Sequence, residues 1–227
     1  MNKLIVDNQL QQKNTTNMIT VAEDSLLIFA QPTDPIYLLI TNSLTLEIEC
    51  HAQVTLYIFN PSYDVSIKVH LQDQGHLDSY VSLVANHLMH TDITICHETK
   101  KTISNLFCHG ISYGQGDLRL TVNGIVPKTI AGCTCNQTNQ LINFQDAKSS
   151  IEPNLWIEEY DVIANHAAYI GSFLKETVFY LQTKGLKIVT IYQLLSKAFL
   201  YQTSQNEQYQ QQIDDALLKI FAKEVKE

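Results

Sequence analysis

The sequence from residue 151 to residue 171 reads IEPNLWIEEYDVIANHAAYIG, and the sequence from residue 178 to residue 186 reads VFYLQTKGL. Between these stretches the hydrophobic pattern changes from the two-residue period of β-strands to the spacing of amphipathic helices. One histidine, His166, lies among small residues just before this change. The position of the change and the role of His166 therefore decide most of what the sequence implies about fold and function.

Residues 34 to 158 show the pattern of half-buried β-strands. Apolar and polar residues alternate in short runs, and turn-forming residues separate the runs. The clearest runs are 44–50, 65–71 and 118–122, and the clearest breaks are 60–62, 73–75, 113–116 and 123–124. No helical period is visible between Ile36 and Trp156. The sequence therefore predicts an all-β body, but a sandwich, a barrel and a solenoid all fit the alternation.

The sequence after Gly171 predicts helices. Leu174, Val178 and Leu181 have the i, i+4, i+7 spacing of a helix, and Gly185 is a typical helix end. A second helix is predicted from an apolar stripe formed by Ile191, Leu194, Leu195, Ala198 and Phe199. Because such a stripe is unfavourable in water, we expect it to pack on the β body or on a partner.

The start of the second helix is predicted from two local signals. Thr190 and Gln193 have the spacing of a capping box, in which each side chain bonds the backbone N–H of the other residue. Val189 is placed to pack against Leu194 as a hydrophobic staple. We therefore expect Thr190 to cap this helix.

The end of the chain predicts a third helix. Residues 202–212 are rich in glutamine and are expected to form a polar connection. The amphipathic helix that follows is indicated by Ile213, Leu217, Phe221 and Val225. The predicted organisation is a β core domain over residues 1–170 and a helical subdomain over residues 171–227.

Composition and charge exclude several classes of protein. The chain has 227 residues, 45% of them hydrophobic, which is enough for a sizeable core. The net charge of −8 argues against non-specific binding to nucleic acid, which needs clustered Lys and Arg. No apolar stretch is long enough to span a bilayer, and residues 1–20 lack the apolar core of a signal peptide. The sequence therefore predicts a soluble, cytoplasmic protein.

The five cysteines are predicted to be reduced, because a disulfide framework is unusual in a cytoplasmic chain of this size. Three of them precede a histidine, in the dipeptides Cys50-His51, Cys96-His97 and Cys108-His109. Adjacent strand residues point to opposite faces, so we expect a buried cysteine and an exposed histidine in each dipeptide. If a solenoid stacks these strands, Cys96 and Cys108 approach each other.

Cys133 and Cys135 are spaced so that both side chains lie on one face of a strand. Two thiolates in this arrangement suit a soft metal or the iron of an Fe–S cluster. Structural metal sites normally use wider spacing and a second pair of ligands, and the sequence contains no second pair. Core packing is therefore the favoured interpretation of these two cysteines.

His166 shares a strand face with Val162, Ala164 and Ala168 if residues 162–168 are extended. A lone histidine on such a face is usually a core or interface residue. The carboxylates that precede it in the sequence, Glu158, Glu159 and Asp161, could support acid–base chemistry or a hard metal, although a solvated turn explains them more simply.

The chain carries no nucleophile elbow, P-loop or dinucleotide fingerprint. A solenoid enzyme acting on carbohydrate would need several inward-facing acids on adjacent turns, and few acids lie on the predicted strands. No enzymatic activity is therefore expected.

Several stretches between Ile125 and Phe199 match a known pattern. They are 140–142 (QLI), 153–158 (PNLWIE), 161–162 (DV), 166–168 (HAA) before Gly171, and 179–186 (FYLQTKGL). The last stretch is similar to the family signature Phe-Tyr-Leu-x-Ser-Arg-Gly-Ile, and His109 and Gly124 are weaker matches. On these residues the chain resembles the SufB/SufD family of iron–sulfur cluster assembly scaffolds. It most resembles the SufD branch, shortened at the amino terminus.

The resemblance implies a right-handed parallel β-helix followed by a carboxy-terminal helical subdomain. It also implies a scaffold subunit of the SUF machinery that pairs with a SufB-like subunit through the β-helix and binds the SufC-like ATPase through its helices. The implied SufC-binding residues are Phe179, Tyr180, Leu181, Lys184 and Gly185. No cofactor is expected to be bound stably, and iron or an Fe–S cluster is expected only transiently in the complex.

The resemblance makes His166 a candidate metal ligand, shared with the partner subunit. The family pattern Cys-x-His-Gly-Ala corresponds to residues 164–168, so Ala164 replaces the cysteine and no thiolate is available there. SufB carries a cysteine in the segment that corresponds to residues 146–150, and this chain has none there. A purely structural homodimer or adaptor without a metal site is the alternative.

Overall fold

The structure is a computed structural model that describes residues 2–5, 17–203 and 206–221. Within these residues, fourteen β-strands precede three α-helices and a short 3₁₀ turn. The first strands are β1 (Asn2–Ile5), β2 (Met18–Val21), β3 (Ser25–Phe29), β4 (Ile36–Ile40), β5 (Leu44–Cys50), β6 (Gln53–Asn60) and β7 (Val65–Leu71). The remaining strands are β8 (His76–Ala85), β9 (Leu88–His97), β10 (Ile103–Tyr113), β11 (Asp117–Val126), β12 (Cys133–Phe144), β13 (Lys148–Ile157) and β14 (Val162–Gly171).

The strands form a parallel β-solenoid. Odd-numbered strands make one seven-stranded sheet, here the odd sheet, and even-numbered strands make the second, here the even sheet. Every strand pair in both sheets is parallel. The chain therefore passes from one sheet to the other and back in each turn. This confirms the predicted parallel β-helix and removes the sandwich and the barrel.

The core of the solenoid lies between the inward faces of the two sheets. Aliphatic residues fill it, because alternate strand residues point inward and parallel pairing stacks them in columns. Leu46, for example, pairs with Ile67, which in turn pairs with Ile93, and all three are buried. The strands β1 to β3 extend this body on the amino-terminal side of Asp34, beyond the range in which strands were predicted.

The helices are α1 (Lys175–Thr183), α2 (Ile188–Leu200) and α3 (Glu207–Phe221). Helices α2 and α3 pack on the outer face of the even sheet through a second, largely aromatic cluster. From the helices, Leu200, Tyr209, Ile213, Leu217 and Phe221 are buried in it. The predicted apolar stripes therefore pack on the β body. Two residues of the α2 stripe, Leu194 and Ala198, remain exposed.

Two predictions about helix boundaries are wrong. Helix α2 begins at Ile188 with Lys187 at its N-cap position, and no side-chain bond caps it, so Thr190 is an interior residue and not a cap. Helix α3 begins at Glu207, within the segment predicted to be a polar connection up to residue 212. Asn206 explains this start, because its Oδ1 accepts the backbone N–H groups of Gln208 and Tyr209 at 2.9 and 3.0 Å.

Helix α1 differs from the other two because none of its residues is buried. It lies between the end of β14 at Gly171 and the turn at Gly185, whose φ of +84° suits glycine. Val225, part of the predicted third stripe, lies outside the described residues. No helix in the described ranges is long and apolar enough to cross a membrane.

Candidate site at the open end of the solenoid

The solenoid ends with two strands that each pair on one side only. Strand β13 pairs with β11, and β14 pairs with β12, and no described strand pairs with their other edges. Large apolar side chains are exposed on these two strands: Trp156 is 62% exposed, Ile163 63% and Tyr169 53%. We call the edges of β13 and β14 and their exposed side chains the open end. Unpaired edges with apolar residues are typical of surfaces that bind another chain.

The structure places His166 at this open end, on β14, and its side chain is exposed. It stands in register with Gln137, which in turn stands in register with Leu106, and both of these are buried. Leu106 and Gln137 point into the solenoid. The His166 side chain, on the next strand in the same register, therefore also points inward, at the uncovered end of the core. Residues 162–168 are extended, because they lie within β14, so His166 shares a strand face with Val162, Ala164 and Ala168.

Beneath His166, the interior of the last turn is polar. Gln137 is 2% exposed, and its Nε2 donates to the backbone oxygen of Asn154 at 3.2 Å, while its Oε1 has no hydrogen-bond partner. Asn139 is fully buried, and its Oδ1 also has no partner. Buried acceptors without donors are rare in proteins. Gln137 Oε1 and Asn139 Oδ1 are two such acceptors, and both lie on β12, the strand next to the one that carries His166.

The carboxylates before β14 belong to a turn. Glu159 accepts the backbone N–H of Thr129 through Oε2 at 2.9 Å and that of Tyr160 through Oε1 at 2.8 Å. The hydrogen bond from Tyr160 is the largest cause that lowers the pKa of Glu159. Glu158 and Asp161 are exposed. The turn interpretation of these residues fits this geometry.

The Cys-His dipeptides follow the prediction in part. Cys50 and Cys108 are fully buried on inward faces, and burial raises the pKa of both thiols, to about 11 for Cys50. His109 faces outward but is buried beneath α2, where its ring stacks on Phe199 at 4.5 Å and its Nδ1 lies 3.2 Å from the Phe199 carbonyl oxygen. Burial lowers the pKa of His109.

The prediction for Cys96-His97 is wrong, because the histidine points inward and the cysteine points outward. His97 is fully buried, whereas Cys96 is partly exposed. Ile93 and Ile95 point inward, and the same alternation continues to His97. This pattern in the sequence could have predicted that the His97 side chain is buried. Cys96 therefore does not approach Cys108. Cys96 points outward from the odd sheet, whereas Cys108 points inward from the even sheet.

His97 is the centre of a buried hydrogen-bond network that the sequence did not reveal. Its Nδ1 lies 2.7 Å from Thr102 Oγ1, and its Nε2 lies 3.0 Å from Ser104 Oγ. Thr102 Oγ1 in turn lies 3.3 Å from Cys133 Sγ. Burial lowers the pKa of His97 to about 4, so the ring is neutral at pH 7.

Cys133 and Cys135 share an inward face, as predicted, and both are buried. They pack with Val126 and with partly buried residues of β13 and β14 in a small cluster next to the open end. Burial raises the pKa of Cys135. Across the described ranges, no three His, Cys, Asp or Glu side chains are grouped so that they could hold a metal ion.

The residues that the resemblance implies for ATPase binding lie on and just after α1. Phe179 is 68% exposed and Tyr180 58% exposed, and Leu174 before the helix is 69% exposed. Lys184 Nζ lies 5.2 Å from the centre of the Tyr180 ring, a cation–π distance, and Gly185 is exposed. Leu181 is partly buried. The helix therefore presents an aromatic surface that the β body does not cover.

The described residues thus form a parallel β-solenoid with an unpaired end and a carboxy-terminal helical subdomain. The model of the SUF system FeS cluster assembly, SufBD core domain family matches residues 41–199, which is more than half of the chain. The chain belongs to this family. It has a role in SUF iron–sulfur cluster assembly and interacts with other SUF components. No curated protein matches the chain.

Proposed function

We propose that the chain is a SufD-like, non-enzymatic scaffold subunit that acts in the cytoplasm. It pairs with a SufB-like subunit through the open end, and a nascent cluster is assembled at the junction. The observation that carries this proposal is the position of His166, exposed at the two unpaired strand edges and not within the chain's own core.

His166 contributes an imidazole ligand to the junction in this proposal. Iron or the nascent cluster is the cargo, and its other ligands come from the partner, because Ala164 offers no thiolate on this face. No cofactor resides in this chain. A structural homodimer or adaptor that binds no metal is the alternative, and the alanine at position 164 favours it.

The test compares His166→Ala with His87→Ala, a substitution of another exposed histidine that lies on the turn between β8 and β9. Each variant is co-purified with SufB-like and SufC-like subunits, and iron and acid-labile sulfide are measured anaerobically. We expect His166→Ala to lower both contents by at least about tenfold while the complex still forms. Equal contents in the two variants would refute the metal role and favour the structural alternative.

We also propose that α1 binds the SufC-like ATPase. Support comes from its exposed aromatic side chains, which the β body leaves uncovered. Exposed aromatic residues are typical anchors of protein interfaces. Pull-down of the ATPase by Phe179→Ala and Tyr180→Ala variants is expected to fall at least about tenfold. Leu88→Ala, at an exposed apolar residue on β9, is the control and is expected to retain binding.

A further inference from the structure

The side-chain amide of Gln137 has a fixed orientation in the last turn of the solenoid. Its Nε2 donates to the backbone oxygen of Asn154 at 3.2 Å, so the side chain reaches from the even sheet to the odd sheet. Gly124 leaves room for this amide, since a Cβ at that position would stand 2.9 Å from Gln137 Nε2. A flipped amide would bring two acceptor oxygens together at Asn154. The atom without a partner is therefore Oε1, an acceptor.

Gln137 Oε1 requires a hydrogen-bond donor, because a buried acceptor without one is costly. Its neighbours on the inward face are two residues on the adjacent strands, Leu106 and His166, and two on its own strand, Cys135 and Asn139. Leu106 has no donor, and the Cys135 thiol is a weak one. Asn139 Nδ2 already donates to a backbone oxygen of β14 at 3.5 Å. Among these four neighbours, the imidazole of His166 remains as a donor.

His166 is placed to supply this donor. It stands in register with Gln137 on the neighbouring strand, at the strand spacing of about 4.8 Å, and both side chains point inward. The ring is exposed and makes no hydrogen bond within the described part of the chain, so it can turn toward β12. Across the interior, the residues on either side of Asn154 are Pro153 and Leu155, which have no competing side-chain donor.

We propose that Gln137 is a positioning residue for His166. Its Oε1 accepts the N–H of the imidazole, selects one tautomer and leaves the lone pair of the other ring nitrogen free at the open end. The inference rests on the proposed function, in which that lone pair meets iron or the nascent cluster.

The chemistry of metal-binding histidines supports this role. Such a histidine usually donates its other N–H to a carbonyl or carboxylate oxygen, which fixes both the ring orientation and the tautomer. The Gln137 amide is itself anchored by Asn154, so the acceptor that it offers has a defined position. An amide oxygen also orders the ring without adding a negative charge beneath it.

The first test measures the tautomers of His166 in the isolated full chain. Protein labelled with nitrogen-15 in histidine is studied at pH 9 by two-bond proton–nitrogen correlation NMR. We expect one tautomer to exceed the other at least about tenfold in wild type. The excess is expected to fall at least about threefold in Gln137→Met, which keeps the length of the side chain but lacks a strong acceptor.

The matched control for this test is Asn139→Leu. It removes the other buried acceptor without a partner on this face of β12, which stands in register with Ala168 and not with His166. We expect it to leave the tautomer ratio unchanged. A ratio that Gln137→Met leaves unchanged, or that Asn139→Leu changes as much, would overturn the proposal. A wild-type ring without a marked tautomer excess would overturn it without any variant.

The second test measures iron binding in the complex. Gln137→Met and Asn139→Leu are each co-purified with SufB-like and SufC-like subunits, and the complexes are titrated anaerobically with ferrous iron. We expect Gln137→Met to need about tenfold more iron for half-loading, since loss of a group that orients a metal-binding histidine weakens metal affinity by this order. Half-loading at the same iron concentration as wild type would contradict the positioning role.

Failure of this inference is distinguishable from failure of the proposed function, because the tautomers are measured without iron or a partner. An unchanged tautomer ratio in Gln137→Met, together with a loss of iron in His166→Ala, would refute the positioning role alone. Unchanged iron in His166→Ala would refute the proposed function, and the NMR result would still decide whether Gln137 orders the ring.

Discussion

The buried ring of His97 makes the stability of the protein depend on pH. The folded structure holds this imidazole neutral, with its pKa lowered from 6.5 to about 4 by burial, whereas the unfolded chain protonates it near 6.5. The unfolded state therefore binds the proton first as the pH falls. The stability that the folded state gains from a neutral His97 is fully present above pH 6.5. It is lost progressively as the pH falls from 6.5 to 4.

The size of this loss follows from the two pKa values. A shift of one pKa unit corresponds to about 1.4 kcal/mol, so the shift to about 4 corresponds to a loss of about 3 kcal/mol by pH 4. This is a large fraction of the roughly 5–15 kcal/mol that stabilises a typical domain.

The assay is urea denaturation followed by far-UV circular dichroism at several pH values from 7.5 to 4. Wild type is compared with His97→Gln, which keeps a donor and an acceptor in the network but does not titrate in this range. We expect the stability difference between the two proteins to change by about 3 kcal/mol between pH 7 and pH 4, in favour of the variant at low pH. His87→Gln controls for the loss of a histidine.

Two results would refute this reasoning. One is a stability difference between wild type and His97→Gln that is the same at pH 7 and at pH 4. The other is an NMR titration in which His97 becomes protonated in the folded protein near pH 6.5.

Three further predictions concern stability and are measured by the same denaturation at pH 7.5. Leu56→Ala removes a fully buried core side chain and is expected to cost about 2–5 kcal/mol; a loss below 1 kcal/mol would contradict the assigned core. Gly124→Ala places a Cβ 2.5 Å from Cys135 Sγ and is expected to cost about 1–3 kcal/mol; an unchanged midpoint would show that the two sheets are farther apart there. Tyr201→Phe removes the hydroxyl that donates to Asp214 at 2.5 Å and is expected to cost about 1 kcal/mol; no loss would mean that the bond contributes nothing.

The sequence predicted the local structure of the β body better than its architecture. Alternation in segments such as 65–71 reports only which residues share a strand face. It does not report that Val65 pairs with Thr91 on the next strand of the same sheet, because this pairing joins distant residues. The parallel β-helix was therefore predicted from the resemblance and not from the pattern.

The candidate site was predictable in its location but not in its surroundings. His166 was identified from its sequence context, and the structure places it at the unpaired end of the solenoid. The network around His97 and the buried acceptor of Gln137 depend on contacts between strands and between sheets, which no local pattern encodes. At Cys96-His97 the inward face is set by the alternation of β9 itself, in which Ile93, Ile95 and His97 point inward, and the dipeptide carries no information about it.

Helix α3 has a mechanical consequence for the whole molecule. In a solenoid each turn contacts only its neighbours, so turns can come apart one at a time. The Tyr209 ring of α3 lies 5.5 Å from that of Tyr37 on β4, and its Phe221 ring lies 5.8 Å from that of Phe144 on β12. Helix α3 therefore contacts both an early and a late turn of the solenoid across the outer face of the even sheet. A force applied to the helices is shared by many turns, and the body responds as one unit.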